Sequence, residues 1–334
     1  MAWGWLYGKL ETDTPIVWYL TVWRIPDRTE NRRCSVKRIE EYILEIVQEK
    51  RETLEQWQEK RDQTLKIAEG VTEVKNIPYM EDGNPRHQMD MYCPVEYIGR
   101  LPVILNIHGG GLLMGDKSLN RYFCAQLASM GCLVFSAEYD LVPEVTVYRQ
   151  FDEISRAMDR VYDLAETFDG DKERAYMIGD SAGAYLIIYA VAMQGSEKLA
   201  KAAGVCPSAF KVKALGLQSG MFYTRKADDI GLFLPKILYG KDYRKSDFEP
   251  YTNPEHEEIL KNLPPCYLMT SQKDRLRRYT LQFVKALKRN GVPYALADYH
   301  SDKKLSHAFS VLFPELKESL QANERMVKFL LCKK

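Results

Sequence analysis

Between residues 36 and 57 the apolar positions fall on a helical period. In "SVKRIEEYILEIVQEKRETLEQWQEKRDQTLKIAEG", Val36, Ile39, Ile43, Ile46, Val47, Leu54 and Trp57 recur at three- and four-residue steps. Charged residues fill the intervals, which is the pattern of one buried helix face. Ser35 is placed to cap the start, and Gly70 to stop the end. After residue 70 the period changes. "TEVKNIPYM" and "HQMDMYCP" flank "EDGNPR", where Asp82-Gly83 predicts a hairpin. Short apolar runs then alternate with helical patterns. "LPVILNIHGGG", "CLVFSAEYD", "RAYMIGDSAG", "KALGLQSG", "CYLMTSQKD" and "PYALADYH" read as strands. "NRYFCAQLASMG", "FDEISRAMDRVYDLAETF", "AYLIIYAVAMQ", "LQFVKALKRNG" and "LKESLQANERMVKFLLC" read as helices. Such alternation predicts an α/β fold with a mostly parallel central sheet and helices on both faces. The stretch from about 221 to 263 is rich in aromatics and charges and breaks the rhythm, as an insertion above the sheet would.

Composition narrows the function classes. The chain has 334 residues, of which 46% are hydrophobic, enough for a large core. Its 47 basic and 46 acidic residues nearly cancel. No global field therefore favours nucleic acid or an anionic membrane, and clusters such as "RLRRYT" are short and local. Seven cysteines at wide spacing, without C-x-x-C, argue for a reducing compartment and against a disulfide framework or a zinc site. The start, "MAWGWLYGKLETDTP", lacks the basic region and long apolar run of a signal peptide. "PIVWYLTVW" is far too short to span a bilayer. These features predict a cytoplasmic protein without cofactor or metal.

The candidate chemistry starts at "MIGDSAGAYL". Ser181 lies between Gly179 and Gly183, after a strand and before a helix, the setting of a G-x-S-x-G nucleophile elbow. Taken alone, the pattern equally describes a serine that caps a helix. A second element changes the balance. "NIHGGGLLMG" ends an earlier strand in consecutive glycines, whose N–H groups can approach a ligand oxygen. The N–H groups of Gly109 and Gly110, with that of Ala182, are candidate donors to the tetrahedral oxyanion of acyl transfer. Phosphate-loop and dinucleotide glycine spacings are absent. A serine also needs a base and an orienting carboxylate. In chain order after Ser181, His256, His300 and His307 remain. A catalytic histidine needs a loop reaching back over the elbow, which favours His307 over His300 at a strand end. Asp274 follows the strand "CYLMTSQ" and fits the carboxylate slot. Asp298 lies within the last strand, and Asp302 sits close to His307 in the chain. Asp180 is expected to hold the elbow or the glycine loop by hydrogen bonds.

In this order and approximate spacing, "HGGG", "AEYDLVPE", "GDSAGA", "KDRLRR" and "HAF" resemble the hormone-sensitive-lipase-like branch of α/β-hydrolase esterases, over residues 72 to 334. The resemblance implies carboxylic ester hydrolysis with Ser181 as nucleophile, His307 as base and Asp274 as its orienter. It also implies an oxyanion hole at Gly109, Gly110 and Ala182. In "EYDLVPE", Asp140 replaces the arginine usual in the E-Y-R-L-x-P-E segment of such enzymes. "GDSAGA" carries Ala184 where a second glycine is commoner.

Residues 1 to 70 are the less typical part, and they hold all five tryptophans, Trp3, Trp5, Trp18, Trp23 and Trp57. In related esterases an N-terminal helical segment caps the substrate pocket. A cap over residues 1 to 70 is expected here, with catalytic residues 71 to 334 beneath it. Packing of the aromatics on the body, or a membrane or dimer surface, are the other readings. The leading expectation is a serine esterase for small acyl esters. An amidase or peptidase with the same triad is a second reading, and a non-catalytic ligand-binding protein a third. Assembly into a homo-oligomer stays open.

Overall fold

The computed structural model describes residues 36–300 and 305–332. Trp3, Trp5, Trp18, Trp23, Ser35 and Asp302, and with them most of the expected cap, lie outside the described residues. In chain order the elements are α1 (Val36–Asp62), β1 (Val71–Pro78), β2 (Gln88–Pro94), β3 (Leu101–Ile107), α2 (Arg121–Ser129), β4 (Leu133–Ala137), α3 (Val147–Ala165), β5 (Gly170–Asp180), α4 (Ala182–Gly195), α5 (Glu197–Ala203), β6 (Ala214–Gln218), α6 (Asp229–Tyr239), α7 (Glu257–Leu260), β7 (Cys266–Ser271), α8 (Arg277–Arg289), β8 (Tyr294–Tyr299), α9 (Phe309–Leu312) and α10 (Lys317–Leu331).

The eight strands form one sheet in the order β1-β2-β4-β3-β5-β6-β7-β8. The β1–β2 hairpin pairs antiparallel, and β2 pairs antiparallel with β4. The pairings from β4 through β3 to β8 are parallel. Side-chain alternation explains how two cores share this sheet. Val103, Leu105 and Ile107 of β3, with Leu133 and Phe135 of β4, face the core built with α1, α3, α4 and α8. Ile104 and Val134, one residue away, face the core built with α2 and α10 through Phe123, Leu127, Met326 and Leu330. Strands buried on both faces are continuously apolar, as "LPVILNI" is. Helix α4 directly follows the elbow and is buried from Ala182 to Met193, which is why it shows no polar face.

Three local readings change. Helix α1 stops at Asp62 rather than running to Gly70, because the N–H groups of Thr64 and Leu65 and the Thr64 hydroxyl all turn back onto the Arg61 carbonyl. Gly70 instead adopts φ 73° at the turn into β1. A short helix, α5, follows α4; Ser196 caps it by accepting from Leu199 N–H, and Gly204 ends it in a left-handed conformation. The 221–263 insertion contains helix α6, capped by Asp228, which accepts from Gly231 N–H. The described cysteines are free thiols. Among the described residues no helix is long and apolar enough to cross a membrane.

Candidate active site

Three segments meet at the carboxyl ends of β3, β5, β6 and β7, where open α/β sheets place reactive groups. The first is the elbow. Ser181 sits between β5 and α4 at φ 50° and ψ −112°, a conformation costly for a residue with a Cβ. The two glycines around it are there for space. A Cβ on Gly179 would lie 2.5 Å from the Gly183 carbonyl carbon, and one on Gly183 would lie 2.0 Å from the Ile107 oxygen. Strand β6 holds the strained turn from below. Ser181 N–H donates to Gln218 O at 2.8 Å, and Ser181 O accepts from Met221 N–H at 2.9 Å.

The second segment is the glycine loop after β3. The Asp180 carboxylate, beside Ser181, accepts from Gly109 N–H at 3.0 Å and from Asn120 Nδ2 at 2.8 Å. Burial holds this carboxyl above its ordinary value, against the pull of Asn120, His307 and the Gly109 N–H. Gly109 thus differs from its expected part: its N–H is spent on Asp180 and is not open to a substrate oxygen. The N–H groups of Gly110, Gly111 and Ala182 have no acceptor among the described residues. Gly110 is obligatory, at φ 115° and with the Met114 oxygen 1.9 Å from where a Cβ would stand. His108 is fully buried, and burial pushes its ring down to about 4, so it is neutral at pH 7. Its Nδ1 lies 2.7 Å from Gly109 O, which makes Nδ1–H the donor. Tyr139 stacks on the ring at 4.3 Å and donates its hydroxyl to His108 O at 2.9 Å.

The third segment carries His307, the candidate base. His307 Nδ1 lies 2.7 Å from Asp274 Oδ1, with the imidazole side chain 10% exposed. The carboxylate accepts, so Nδ1–H donates and the Nε2 lone pair is left to take a proton. Thr270 Oγ1 donates to Asp274 Oδ2 at 2.7 Å, and Leu276 N–H to Oδ1 at 2.9 Å. Burial pushes the Asp274 carboxyl up. The charge and hydrogen bond of His307, with the bonds from Thr270 and Leu276, outweigh it and leave the group below its ordinary value. The loop bearing His307 is pinned to the sheet: Ala308 N–H donates to Ser219 Oγ at 3.0 Å, and Ser271 Oγ to Leu305 O at 2.7 Å. Ser219 lies on the two-residue link between Gln218 and Met221, the same residues that hold Ser181. Ser181 Oγ itself makes no hydrogen bond among the described residues, so its contact with the imidazole is not closed in this state.

The other candidates lie elsewhere. The His300 side chain is 59% exposed and pairs with Asp298, which Arg277 grips with two nitrogens. His256 caps α7, its Nδ1 accepting from Glu258 N–H at 3.1 Å. Sequence reasoning passed over Asn120, Ser219 and Gly111. Only Gly111 carried a signal, as the last glycine of "HGGG". Helix α1 borders the site from outside: Arg51 donates to Leu113 O and Val142 O, and Arg61 to Ser118 O and Leu119 O. Trp57, the one described tryptophan, packs edge-on against Phe313 at 6.5 Å, with the Arg61 guanidinium 5.1 Å from its ring. Cavities of about 420 and 410 Å³ open at Tyr79–Asp82 against α3 and at Tyr223–Lys226. Neither is lined by Ser181, Asp274 or His307.

Comparison with known proteins bears on the fold and the family. Residues 104–310 match the sequence profile of the α/β-hydrolase fold. The structure superposes on esterase B of Lactobacillus rhamnosis with a TM-score of 0.81 at 25% identity, covering 87% of this chain and 95% of that one. An isoprenylcysteine α-carbonyl methylesterase of Arabidopsis thaliana is 29% identical over 200 residues, 57% of this chain and 46% of the relative. An esterase of Mycobacterium tuberculosis is 26% identical over 65% of this chain and 68% of its own length. The chain spans half or less of the length of the plant methylesterases it matches.

Proposed function

The chain belongs to the α/β-hydrolase family, in its hormone-sensitive-lipase-like branch, and from that premise we propose that it is a serine carboxylesterase acting on small acyl esters. Ser181 Oγ attacks the acyl carbon while His307 Nε2 takes its proton. Asp274 stabilises the resulting imidazolium through Nδ1–H. The developing oxyanion is received by the N–H groups of Gly110, Gly111 and Ala182. Collapse of the tetrahedral intermediate expels the alcohol, which leaves with the proton from His307. Water, activated by the same imidazole, then hydrolyses the acyl-enzyme. The Ser181–His307 contact is of the kind that commonly tightens when substrate binds.

The observation that carries this reading is the 2.7 Å His307–Asp274 pair, fastened through Ser219 to the backbone that bears the strained Ser181. The preference for short chains draws support from a relative: esterase B of Lactobacillus rhamnosis, 26% identical, was crystallised with a tributyrin phosphonate inhibitor. It draws support also from α1 itself, which Arg51 holds to the Leu113 and Val142 carbonyls beside the glycine loop. The test is hydrolysis of p-nitrophenyl esters of graded chain length by the purified full chain. Turnover highest from acetyl to butyryl supports the reading. Absence of turnover at every length rejects it.

A further inference from the structure

Away from the active site, the tip of the β1–β2 hairpin, the turn after β4 and the first turns of α3 converge on one buried imidazole. His87 is 1% exposed and Glu153 is fully buried. His87 Nε2 faces Glu153 Oε1 at 3.1 Å and Asp140 Oδ2 at 3.4 Å. These three atoms all lie within 4.8 Å of one another. On the far side of the ring, Nδ1 lies 2.6 Å from Asp82 Oδ2. That carboxylate can only accept, so Nδ1 carries a proton. Nε2 on the near side thus faces two carboxylate oxygens, with the Asn84 Nδ2 donor 3.3 Å away. A second ring proton or a bound cation would offset the charge of those oxygens.

We propose that His87, Asp140 and Glu153 bind a divalent transition-metal ion of the zinc class. Ligand–metal distances of 2.0–2.2 Å in a tetrahedral shell put neighbouring ligand atoms roughly 3.3–3.6 Å apart, near the 3.1 and 3.4 Å seen here. The atoms that would not touch the ion are already held. Asp82 takes Nδ1–H of the imidazole, Asn84 Nδ2 donates to Asp140 Oδ1 at 2.9 Å, and Asp140 N–H donates to Glu153 Oε2 at 2.8 Å. Outer partners of this kind orient metal ligands and fix the histidine tautomer. Arg149 Nε donates to Glu153 Oε1 at 2.7 Å and takes one lone pair of that oxygen; the other is left for the ion. Charge points the same way. Burial pushes the Glu153 carboxyl up to about 7; with Asp82, Asp140 and Glu153 all ionised against one guanidinium, the excess is two negative charges, which a divalent cation cancels and one imidazolium does not. One imidazole with two carboxylates suits zinc-like ions better than calcium, which takes six to eight oxygens.

The test strips the full-length protein with a chelator and titrates Zn²⁺ at pH 7.5, reading stoichiometry by calorimetry and metal analysis and stability by melting temperature. One equivalent should bind and raise the melting temperature. Asp140→Arg, which removes a ligand and puts a fixed cation in its place, should lose that equivalent and its melting shift. Glu153→Gln should bind at least about tenfold more weakly. Uptake of no equivalent by the wild type, or the same equivalent in Asp140→Arg, overturns the proposal and leaves His87 as an imidazolium paired with its carboxylates. If Asp140→Arg does not fold, the decision passes to Glu153→Gln, whose shape is conserved; unchanged affinity there overturns it equally.

Discussion

Single residues at the elbow have separable parts, and substitutions should distinguish them. Ser181→Ala removes the nucleophile yet keeps a small side chain at a buried position, so the fold should survive and kcat should fall about 10,000-fold or more. Ester hydrolysis with a circular-dichroism control measures both. His307→Ala should be nearly as damaging, whereas His300→Ala, an exposed partner of Asp298, should change kcat less than about twofold. The reverse ranking in the same assay would move the base to His300. Gly183→Ala tests geometry rather than chemistry. Its new Cβ would meet the Ile107 oxygen at 2.0 Å, and separating β3 from α4 should cost about 1–3 kcal/mol or more, read as a drop in urea midpoint. The two flanking glycines, the histidine in a loop and the carboxylate after a strand could all be read from sequence. That Asp180 holds the glycine loop was expected as well; that it takes the N–H of Gly109, and so removes it as an oxyanion donor, was not, because a hydrogen bond between residues 71 positions apart leaves no local trace.

At the scale of elements, α1 has two attachments to the active-site rim. Arg51 bridges the Leu113 and Val142 carbonyls and forms a bidentate pair with Glu144 at 2.6 and 2.8 Å. Arg61 closes on the carbonyls of Ser118 and Leu119. If the segment preceding α1 closes the acyl pocket, removing residues 1 to 30 should relax the preference for short esters or lower kcat/KM. Each added methylene that then finds apolar cover gains about 0.8 kcal/mol. Chain-length profiles of full-length and truncated protein measure this, and coincident profiles would leave α1 with a packing function alone. The helix itself was visible in its apolar period. Its early stop at Asp62 was not, because the stop rests on Thr64 and Leu65 turning back to Arg61 rather than on a glycine. Helix α6 was hidden for another reason: in "DIGLFLPKILY" Gly231 and Pro235 break the propensity pattern, and packing overrides them.

For the whole molecule, the alternation of apolar runs predicted the layers and the mostly parallel sheet, since each strand buried on both faces must be apolar throughout. Strand order is a matter of long-range pairing and needed the structure. Acid should unfold the protein partly through Asp274. Its carboxyl sits below its ordinary value in the native state, so its stabilisation is present above the unfolded value and is lost as pH falls through the native one. Asp274→Asn should therefore flatten the decline of the urea midpoint below about pH 4, even though it abolishes turnover. The link from Gln218 to Met221 has a broader consequence. It fastens the nucleophile on one side and the base loop on the other, and it is complete before the 221–263 stretch departs from the sheet. That stretch sends Tyr239 and Phe248 into the core against Tyr185 and Tyr189 of α4, so its exposed positions are the ones that can be rewritten while the reacting groups stay in register. A lineage carrying this bracket is free to change its diet without relearning its chemistry.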